Sequence, residues 1–533
     1  MRLDDWFLTI EERGNPHTSI DAGASADVAW TEGNEVTLLV DGEAYFASLV
    51  RAISELERGD QLLFTDWRSD GDELLAEGGP TIAELLLEAC HRGVDVRGLL
   101  WRSHSDRLAF SAKQNRQFAV ELTKAGGEVL LDERVRRGGS HHQKMVLARR
   151  SRRPDLDVAF VGGIDLSHGR RDNDRHRGNS QVIKLDHRYG PHPAWHDAQL
   201  EVRGPAIGDL DLSFRERWQD PTPLNHAGWA SAWIGRTLSR NRIASAMTAA
   251  GAHPPRKGRH AVQVLRTYPS RRPSYPFAPD GERSVARAFV KAIQRARCLI
   301  YIEDQYFWSR HIATILARAL RRHPQLQLIV VVPRFPDKDG RFSGPPSRLA
   351  QARAMAIVRA AGGDRVRFYN IENDEGFPIY VHAKVCVIDD VWATVGSDNL
   401  NRRSWTHDSE LSCAVIDEEL DAREPLDPGG LGDGSRKFAR DMRLMLWAEH
   451  LGRSPDDPEL LDIVHSCHLW ETAASDVERF DARGAHGTRP SSRVRTHEIE
   501  PVSSGTQRWA KVAYRLIFDP DGRPLKLRLR HRY

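Results

Sequence analysis

Cysteine is scarce in this 533-residue chain: Cys90, Cys298, Cys386, Cys413 and Cys467 are widely spaced, odd in number and form no CxxC pair. That argues against a disulfide scaffold and against a structural zinc site of the cysteine kind. Long apolar runs are missing too. The strongest, Leu328 to Val332, stops at Pro333, far short of the roughly 18–20 residues of a membrane span. Charge of one sign is also lacking, since 77 Lys+Arg against 74 Asp+Glu leave +3; no dedicated nucleic-acid binding is expected from so balanced a chain. Asp4, Asp5, Glu11 and Glu12 stand where an export signal carries a basic start and an apolar core, so a reduced, cytoplasmic protein is expected. What is present, 40% hydrophobic and 28% charged residues, is the balance of a globular enzyme, at a length that calls for more than one folded unit.

The chain repeats itself. Ala125-Gly126-Gly127-Glu128 recurs as Ala361-Gly362-Gly363-Asp364, His142-Gln143-Lys144 as His382-Ala383-Lys384, and Gly162-Gly163 as Gly396-Ser397. The strand-like Leu62 to Asp66 precedes the first HxK by nearly the distance that separates Ile300 to Asp304 from the second. Four landmarks in one order at a nearly constant offset mark two copies of one module.

Within each copy, helical and strand patterns alternate. Tyr45, Leu49, Ile53 and Leu56 have helical spacing before the apolar Leu62 to Phe64; Thr81 to His91 predicts a helix stopped by Gly93, before a strand over Val94 to Trp101. Val285, Phe289 and Ile293 predict a helix before strand Cys298 to Ile302, and a helix around Ile312 to Arg321 feeds strand Leu326 to Val332. The expected fold is α/β: two pseudo-symmetric α-β-α sandwich modules, each with a central mixed sheet, and an active site at their interface. The predicted organisation is an N-terminal extension over 1–34, a first module over 35–218, a connecting segment over 219–260 and a second module with a C-terminal extension over 261–533. Glycine- and proline-rich stretches at 333–347, 424–434 and 481–491 read as loops, and the alternation Leu525-Lys526-Leu527-Arg528-Leu529-Arg530 predicts a half-buried final strand.

In the second copy the full pattern is His382-x-Lys384-x4-Asp389-x6-Gly396-Ser397-x-Asn399. On an extended strand, residues i and i+2 face one side, so His382 and Lys384 project together while Ala383 points into the protein. Gly396, Ser397 and Asn399 supply a tight turn, a hydroxyl and an amide suited to a phosphate oxygen. An imidazole beside a fixed ammonium and amide donors equips a site for phosphoryl transfer with no metal or other cofactor. Two copies give two imidazoles: one to attack phosphorus, the other to protonate the leaving alkoxide.

These residues resemble the phospholipase D superfamily, whose signature is a doubled HxKx4D motif. Phe64-Thr65-Asp66-Trp67-Arg68, Ser140-His141-His142-Gln143-Lys144-Met145, Gly162-Gly163-Ile164-Asp165-Leu166 and Trp195-His196-Asp197 are similar to the family's N-terminal half. Ile302-Glu303-Asp304-Gln305-Tyr306-Phe307, Asn401-Arg402-Arg403-Ser404, Asp408-Ser409-Glu410 and Glu449-His450-Leu451-Gly452 are similar to its C-terminal half. The resemblance implies a covalent phosphohistidine, with His142 as nucleophile and His382 as general acid and base, although the two copies alone leave that choice open. It further implies that Lys144, Lys384, Ser397 and Asn399 hold phosphate oxygens, that Asp197 and Glu410 orient the imidazoles, and that Asp389 buttresses the motif. In the first copy Arg149 stands where the motif aspartate is expected. Counting back from the glycines places Asp155 there, or Asp157, behind an insertion rich in arginine. Asp165 stands opposite Asn399, so the phosphate pocket is expected to be asymmetric.

The activity implied is hydrolysis of glycerophospholipids to phosphatidate plus headgroup, with transphosphatidylation as a side reaction, by a monomer carrying an internal pseudo-dimer that meets its phospholipid substrate transiently at a membrane surface. The alternatives are a cardiolipin synthase-like phosphatidyltransferase, a phosphodiesterase nuclease and an inactive lipid-binding module.

Overall fold

The computed structural model describes residues 1–23, 28–102, 112–224, 244–248, 250–337, 344–499, 506, 510, 514, 518–530 and 533. Residues 225–243 and 249 of the predicted connecting segment, part of the 333–347 loop and much of the C-terminal extension lie outside the described residues. The first half contributes strands β1 (Thr31–Val40), β2 (Gln61–Asp66), β3 (Asp95–Trp101), β4 (Glu128–Asp132), β5 (Met145–Arg149), β6 (Val158–Gly162), β7 (Ala194–His196) and β8 (Ala198–Arg203). The second contributes β9 (His260–Tyr268), β10 (Glu282–Arg283), β11 (Leu299–Asp304), β12 (Gln327–Val331), β13 (Val366–Ile371), β14 (Ile379–Val381), β15 (Lys384–Ile388), β16 (Trp392–Gly396), β17 (Glu410–Asp417) and β18 (Val494–Thr496).

The duplication is written in the strand order. The first half runs β1-β8-β6-β5-β2-β3-β4 and the second β9-β17-β16-β15-β11-β12-β13, in the same sequence of roles. In each, three strands pair in parallel (β2-β3-β4 and β11-β12-β13) and the HxK strand pairs antiparallel beside them. The two sheets are not separate. Antiparallel pairing of β1 with β9 joins them edge to edge into one mixed 16-stranded sheet among the described residues, which also removes an exposed edge from each half.

Helices cover both faces. The helix Ile82–Arg92 starts where Thr81 accepts the Glu84 N–H and Glu84 reaches back to the Thr81 N–H, and it ends at Gly93 in left-handed backbone (φ 88). It packs with Tyr45, Leu49 and Phe118 over the outer face of the first half. The helices Ser284–Arg295 and Arg310–Arg322 do the same for the second half. Between the halves lies a shared core in which Leu63, Leu147, Leu200, Val264, Val385 and Leu411 meet Phe214, Trp218, Leu446 and Trp447 of the helices Ala206–Trp218 and Lys437–Leu451. Docking of the halves is therefore part of forming the core.

Three sequence expectations are corrected. Strand β1 begins at Thr31, inside the predicted 1–34 extension, and Trp6, Phe7 and Leu8 of that extension are packed into the second half's core. A 19-residue helix, Gly344–Gly362, begins inside the predicted 333–347 loop, with Pro345 and Pro346 in its first turn, where their missing N–H groups break no bond. The predicted final strand is a short helix, Leu525–Leu529, following Pro524. Leu525 and Leu529 lie one turn apart and both face solvent, so an i, i+2, i+4 pattern served a helix rather than a pleat. No helix among the described residues is long and apolar enough to cross a membrane.

Candidate active site

Each HxK sits at the mouth of a buried antiparallel strand, β5 or β15. Ala383 is buried in the shared core, and Gln143 is tied by its Nε2 to Tyr268 Oη at 3.1 Å, so the alternation turns the histidine and lysine of each motif to the opposite side. The backbone then joins the halves. The His142 N–H donates to Ser409 O at 2.9 Å and the His382 N–H to His196 O at 2.8 Å. In both cases the accepting carbonyl belongs to the residue just before a carboxylate, which delivers that carboxylate to the ring. His142 Nδ1 lies 2.9 Å from Glu410 Oε2, and His382 Nδ1 lies 2.6 Å from Asp197 Oδ2. The pairs are crossed: each imidazole is oriented by a carboxylate from the other half.

The two orienting carboxylates differ in length, and the glycine turns compensate. A side chain at Gly163 would strike Asp197 Oδ1, whereas at the matching position the Ser397 hydroxyl donates to Glu410 Oε2 at 2.6 Å and the Ser397 carbonyl stands 3.1 Å from His142 Nδ1. The side chain of His142 is 15% exposed and that of His382 6%. Against the rings stand Trp67, 6.3 Å from His142 between centroids, and Trp195, 4.8 Å from His382.

Charge is concentrated here under burial. Burial first, then Lys144 and Lys384, holds His142 well below the ordinary imidazole range; burial, Lys384 and Arg170 do the same for His382. Each ring thus feels both lysines, and Asp165 acts on both, which places the two motifs in one cleft. Burial pushes Glu410, beside Asp408, up to about 8 and raises Asp197 as well, so each carboxyl binds a proton more tightly than in water and is suited to share one with the imidazole it meets. Burial pushes Lys384 down to about 8. Lys144 Nζ bonds His142 O at 3.1 Å and pairs with Asp165 at 3.2 Å; Lys384 Nζ bonds His382 O. Asp165 also meets Arg170 at 3.0 Å, and these two cations outweigh the effect of burial and keep it ionised. Asn399, opposite it, is buried with no hydrogen bond at Oδ1.

Asp389 lies in left-handed backbone (φ 53) at the β15–β16 turn and accepts the N–H groups of Arg297, Cys298 and Leu299 at 2.7–2.8 Å. It clamps the start of β11 and does not touch the imidazoles. Burial pushes it up to about 6 against the pull of those three bonds. In the first half the expectation of Asp155 is corrected. Asp155 is half-buried, its side chain 40% exposed, and pairs with Arg153 on the hairpin. Arg149 itself holds the motif position, pairing across β2 with Gln61, and its guanidinium is bound by Asp157 at 3.0 Å and by Asp211. Asp157, which also accepts the Arg150 N–H at 2.6 Å, is the buried member. A side-chain ion pair has replaced a clamp on backbone, so no count of spacers could locate an aspartate there.

Several residues of the cleft carried no role in the sequence reading. Arg170 stacks over Trp195 at 3.9 Å beside Asp165, in a loop with no motif to flag it. Asp66 and Asp304, already visible as repeat landmarks, accept the N–H groups of Leu166 and Leu400 at 2.7 and 2.8 Å and so hold the post-glycine turns in place. His196 and His450, with Glu303, form a buried chain: Glu303 is 2.8 Å from His196 Nε2 and 2.9 Å from His450 Nε2. The adjacency of His196 to Asp197 was the available signal.

The chain is 26% identical over 511 residues to phospholipase D gamma 2 of Arabidopsis thaliana, covering 72% of this chain and 59% of that one. It is 24% identical to phospholipase D alpha 2 of Oryza sativa subsp. japonica, covering 86% and 67%. Among solved structures, a phosphatidylserine synthase from Haemophilus influenzae Rd KW20 superposes with a TM-score of 0.48 at 13% identity, covering 72% and 82%. A cardiolipin synthase, PLD-like domain model matches residues 289–423. The phospholipase D model matches residues 70–315 and 364–483, more than half of the sequence and both HxK motifs, and on that ground the chain belongs to the phospholipase D family.

Proposed function

We propose that the protein is a phospholipase D-type phosphodiesterase that hydrolyses glycerophospholipids to phosphatidate and free headgroup. The observation that carries this reading is the pair of crossed imidazole–carboxylate contacts, His142–Glu410 and His382–Asp197. With Nδ1–H donated to a carboxylate, each ring presents Nε2 to the cleft. His142, the more open ring and neutral at rest, attacks phosphorus, and the P–O bond to the headgroup breaks. The bound diester's negative charge between Lys144 and Lys384 offsets their effect on His382, which then holds the proton it gives to the leaving alkoxide. His382 next takes a proton from water, which attacks phosphorus, breaks the P–N bond and restores His142. Lys144, Lys384, Arg170 and Asn399 hold the nonbridging oxygens as charge builds on them. An alcohol in the place of water gives transphosphatidylation by the same steps.

A cavity of about 420 Å³, lined by Tyr306, Trp308, Arg334, Phe335 and Tyr380, offers room for a headgroup-sized part of the substrate; the Tyr380 ring lies 6.5 Å from that of His382. Its mixture of aromatic faces and guanidinium groups suits an amphiphile with an anionic centre. The cardiolipin synthase-like match over residues 289–423 favours a second reading, in which the acceptor is a lipid hydroxyl rather than water. The test is incubation of the full chain as purified with vesicles of mixed phospholipids plus ethanol, read by mass spectrometry. Phosphatidate, phosphatidylethanol and a released headgroup are expected. Cardiolipin formed from phosphatidylglycerol without phosphatidate would favour the second reading, and untouched vesicles with nicked plasmid DNA would overturn both.

A further inference from the structure

Next to Asp197 lie imidazoles and carboxylates, buried except for the partly buried Glu449, that the phosphoryl chemistry does not use. Asp41, His176, His196 and Glu449 each offer one ligand atom, and these atoms all lie within 4.8 Å of one another. His196 Nδ1 is 3.2 Å from Asp41 Oδ1 and 3.5 Å from Glu449 Oε1; His176 Nε2 is 2.8 Å from Glu449 Oε1 and 3.7 Å from Asp41 Oδ2. A tetrahedral ion with ligands at ~2.0–2.1 Å has ligand–ligand edges of ~3.3–3.4 Å. The nitrogen–oxygen separations bracket that value, with Asp41 approaching His196 through Oδ1 and His176 through Oδ2.

The far nitrogen of each ring is already engaged. His196 Nε2 donates to Glu303 at 2.8 Å, and Glu303 is itself held by His450 at 2.9 Å and the Tyr301 hydroxyl at 2.5 Å. His176 Nδ1 donates to Trp195 O at 3.2 Å. Anchoring one imidazole nitrogen in a carboxylate or carbonyl is how proteins turn the other nitrogen's lone pair toward a metal. Each of these nitrogens faces carboxylate oxygens at a range that calls for a proton or a metal ion between them, and at His176 the 2.8 Å approach to Glu449 Oε1 has the length of a hydrogen bond. A shared proton fits His196 poorly. Its Nδ1 is fully buried and makes no hydrogen bond despite the 3.2 Å approach of Asp41.

We propose that Asp41, His176, His196 and Glu449 bind one divalent transition-metal ion of the zinc class, four-coordinate and structural. Two carboxylates balance the ion's charge, and a nitrogen–oxygen set of two and two suits zinc or its first-row neighbours rather than calcium or magnesium, which take oxygen. The scarcity of cysteine does not bear on such a set. The four ligands lie in three separate segments of the first half and one helix of the second, so the ion would pin the halves together. It would also brace the acid–base apparatus: Asp41 and Asp197 exchange backbone contacts, with Asp41 N–H on Asp197 O at 2.8 Å and Asp197 N–H on Asp41 Oδ1 at 3.2 Å, and the His196 carbonyl holds the His382 N–H.

The test uses the untagged full chain, stripped by chelator and dialysed against buffered submicromolar free zinc, with bound metal counted by inductively coupled plasma mass spectrometry. One zinc per chain is expected, together with at least a tenfold weaker affinity in Glu449→Gln. Cobalt loading of the unmutated protein reads the site without any variant: an intense visible ligand-field band, abolished by added zinc, is expected of a four-coordinate site. A chain that takes up neither metal, or a folded Glu449→Gln variant that binds zinc as tightly as the parent, would overturn the proposal. Metal content is independent of lipid turnover, so failure of the phospholipase reading would leave this result standing.

Discussion

Replacing Glu410 by glutamine separates the two halves of the proposed mechanism. Glu410 Oε2 accepts both the His142 Nδ1–H at 2.9 Å and the Ser397 hydroxyl at 2.6 Å. Glutamine keeps the shape but removes the charge that steadies the ring as it turns cationic. If the amide rotates to present its NH2, the imidazole is driven to its other tautomer and Nε2, the attacking atom, carries the proton. Loss of an orienting carboxylate of this kind costs ~10²–10⁴ in kcat, or ~3–5.5 kcal/mol of transition-state stabilisation. Asp197→Asn acts on the other ring, held at 2.6 Å, and costs a similar factor with a natural headgroup. A phosphatidyl ester of p-nitrophenol distinguishes them, because that leaving group departs without a proton. Under rapid mixing, Asp197→Asn retains a burst of nitrophenolate and accumulates a phosphohistidine at position 142, since only the water step needs His382. Glu410→Gln shows no burst and no adduct. The reversed pattern would make His382 the nucleophile, and identical behaviour of the two variants would refute the crossed pairing as the basis of catalysis.

Three further outcomes follow from individual contacts. Asp389→Ala strands three backbone donors at the start of β11 and lowers stability by at least ~3 kcal/mol in urea unfolding, because bonds to a charged acceptor are worth ~1.5–3 kcal/mol each; Asp155→Ala leaves the unfolding midpoint where it was. Lys384, held at about 8, carries its charge below that pH and loses it as pH rises through it, so kcat/KM falls above pH ~8 and Lys384→Arg, always charged, removes that alkaline limb. Gly163→Ala sets a methyl against Asp197 Oδ1, and is expected to lower kcat at least tenfold while circular dichroism stays native; unchanged kcat would show that Asp197 has room to yield.

The parts of this molecule legible from sequence are those that a short stretch of chain decides for itself. Thr81 and Glu84 cap a helix and Gly93 ends it whatever surrounds them, and the apolar runs that became β2, β11 and β12 need only burial. The repeat was legible because the pseudo-symmetric strand order requires the same landmarks twice. What escaped depends on partners distant in sequence. Arg149 replaces a motif aspartate because Asp157 and Asp211 are folded against it. The β1–β9 seam turns two predicted sheets into one through an edge pairing that no strand pattern encodes. Leu525 and Leu529 satisfy both a period of two and a spacing of four, and five residues are too few to decide between them.

The crossing of the carboxylates explains why the duplication is held in one chain with a shared core. Neither half contains a complete imidazole–carboxylate pair. A single module would expose a histidine with its Nδ1 unoriented and a buried carboxylate without its donor, an arrangement that loses both chemistry and stability. Once docked, the halves need not stay alike, and the differences between them fall at the site. Glycine faces aspartate on one side where serine bonds glutamate on the other; Asp165, neutralised by Lys144 and Arg170, stands opposite Asn399; one ring is more open than the other. A nucleophile needs access to phosphorus and a neutral lone pair, whereas a general acid and base needs a tightly held proton. In the proposed mechanism, the wider contact and greater exposure of His142 suit the nucleophile, and the shorter contact and deeper burial of His382 suit the acid and base.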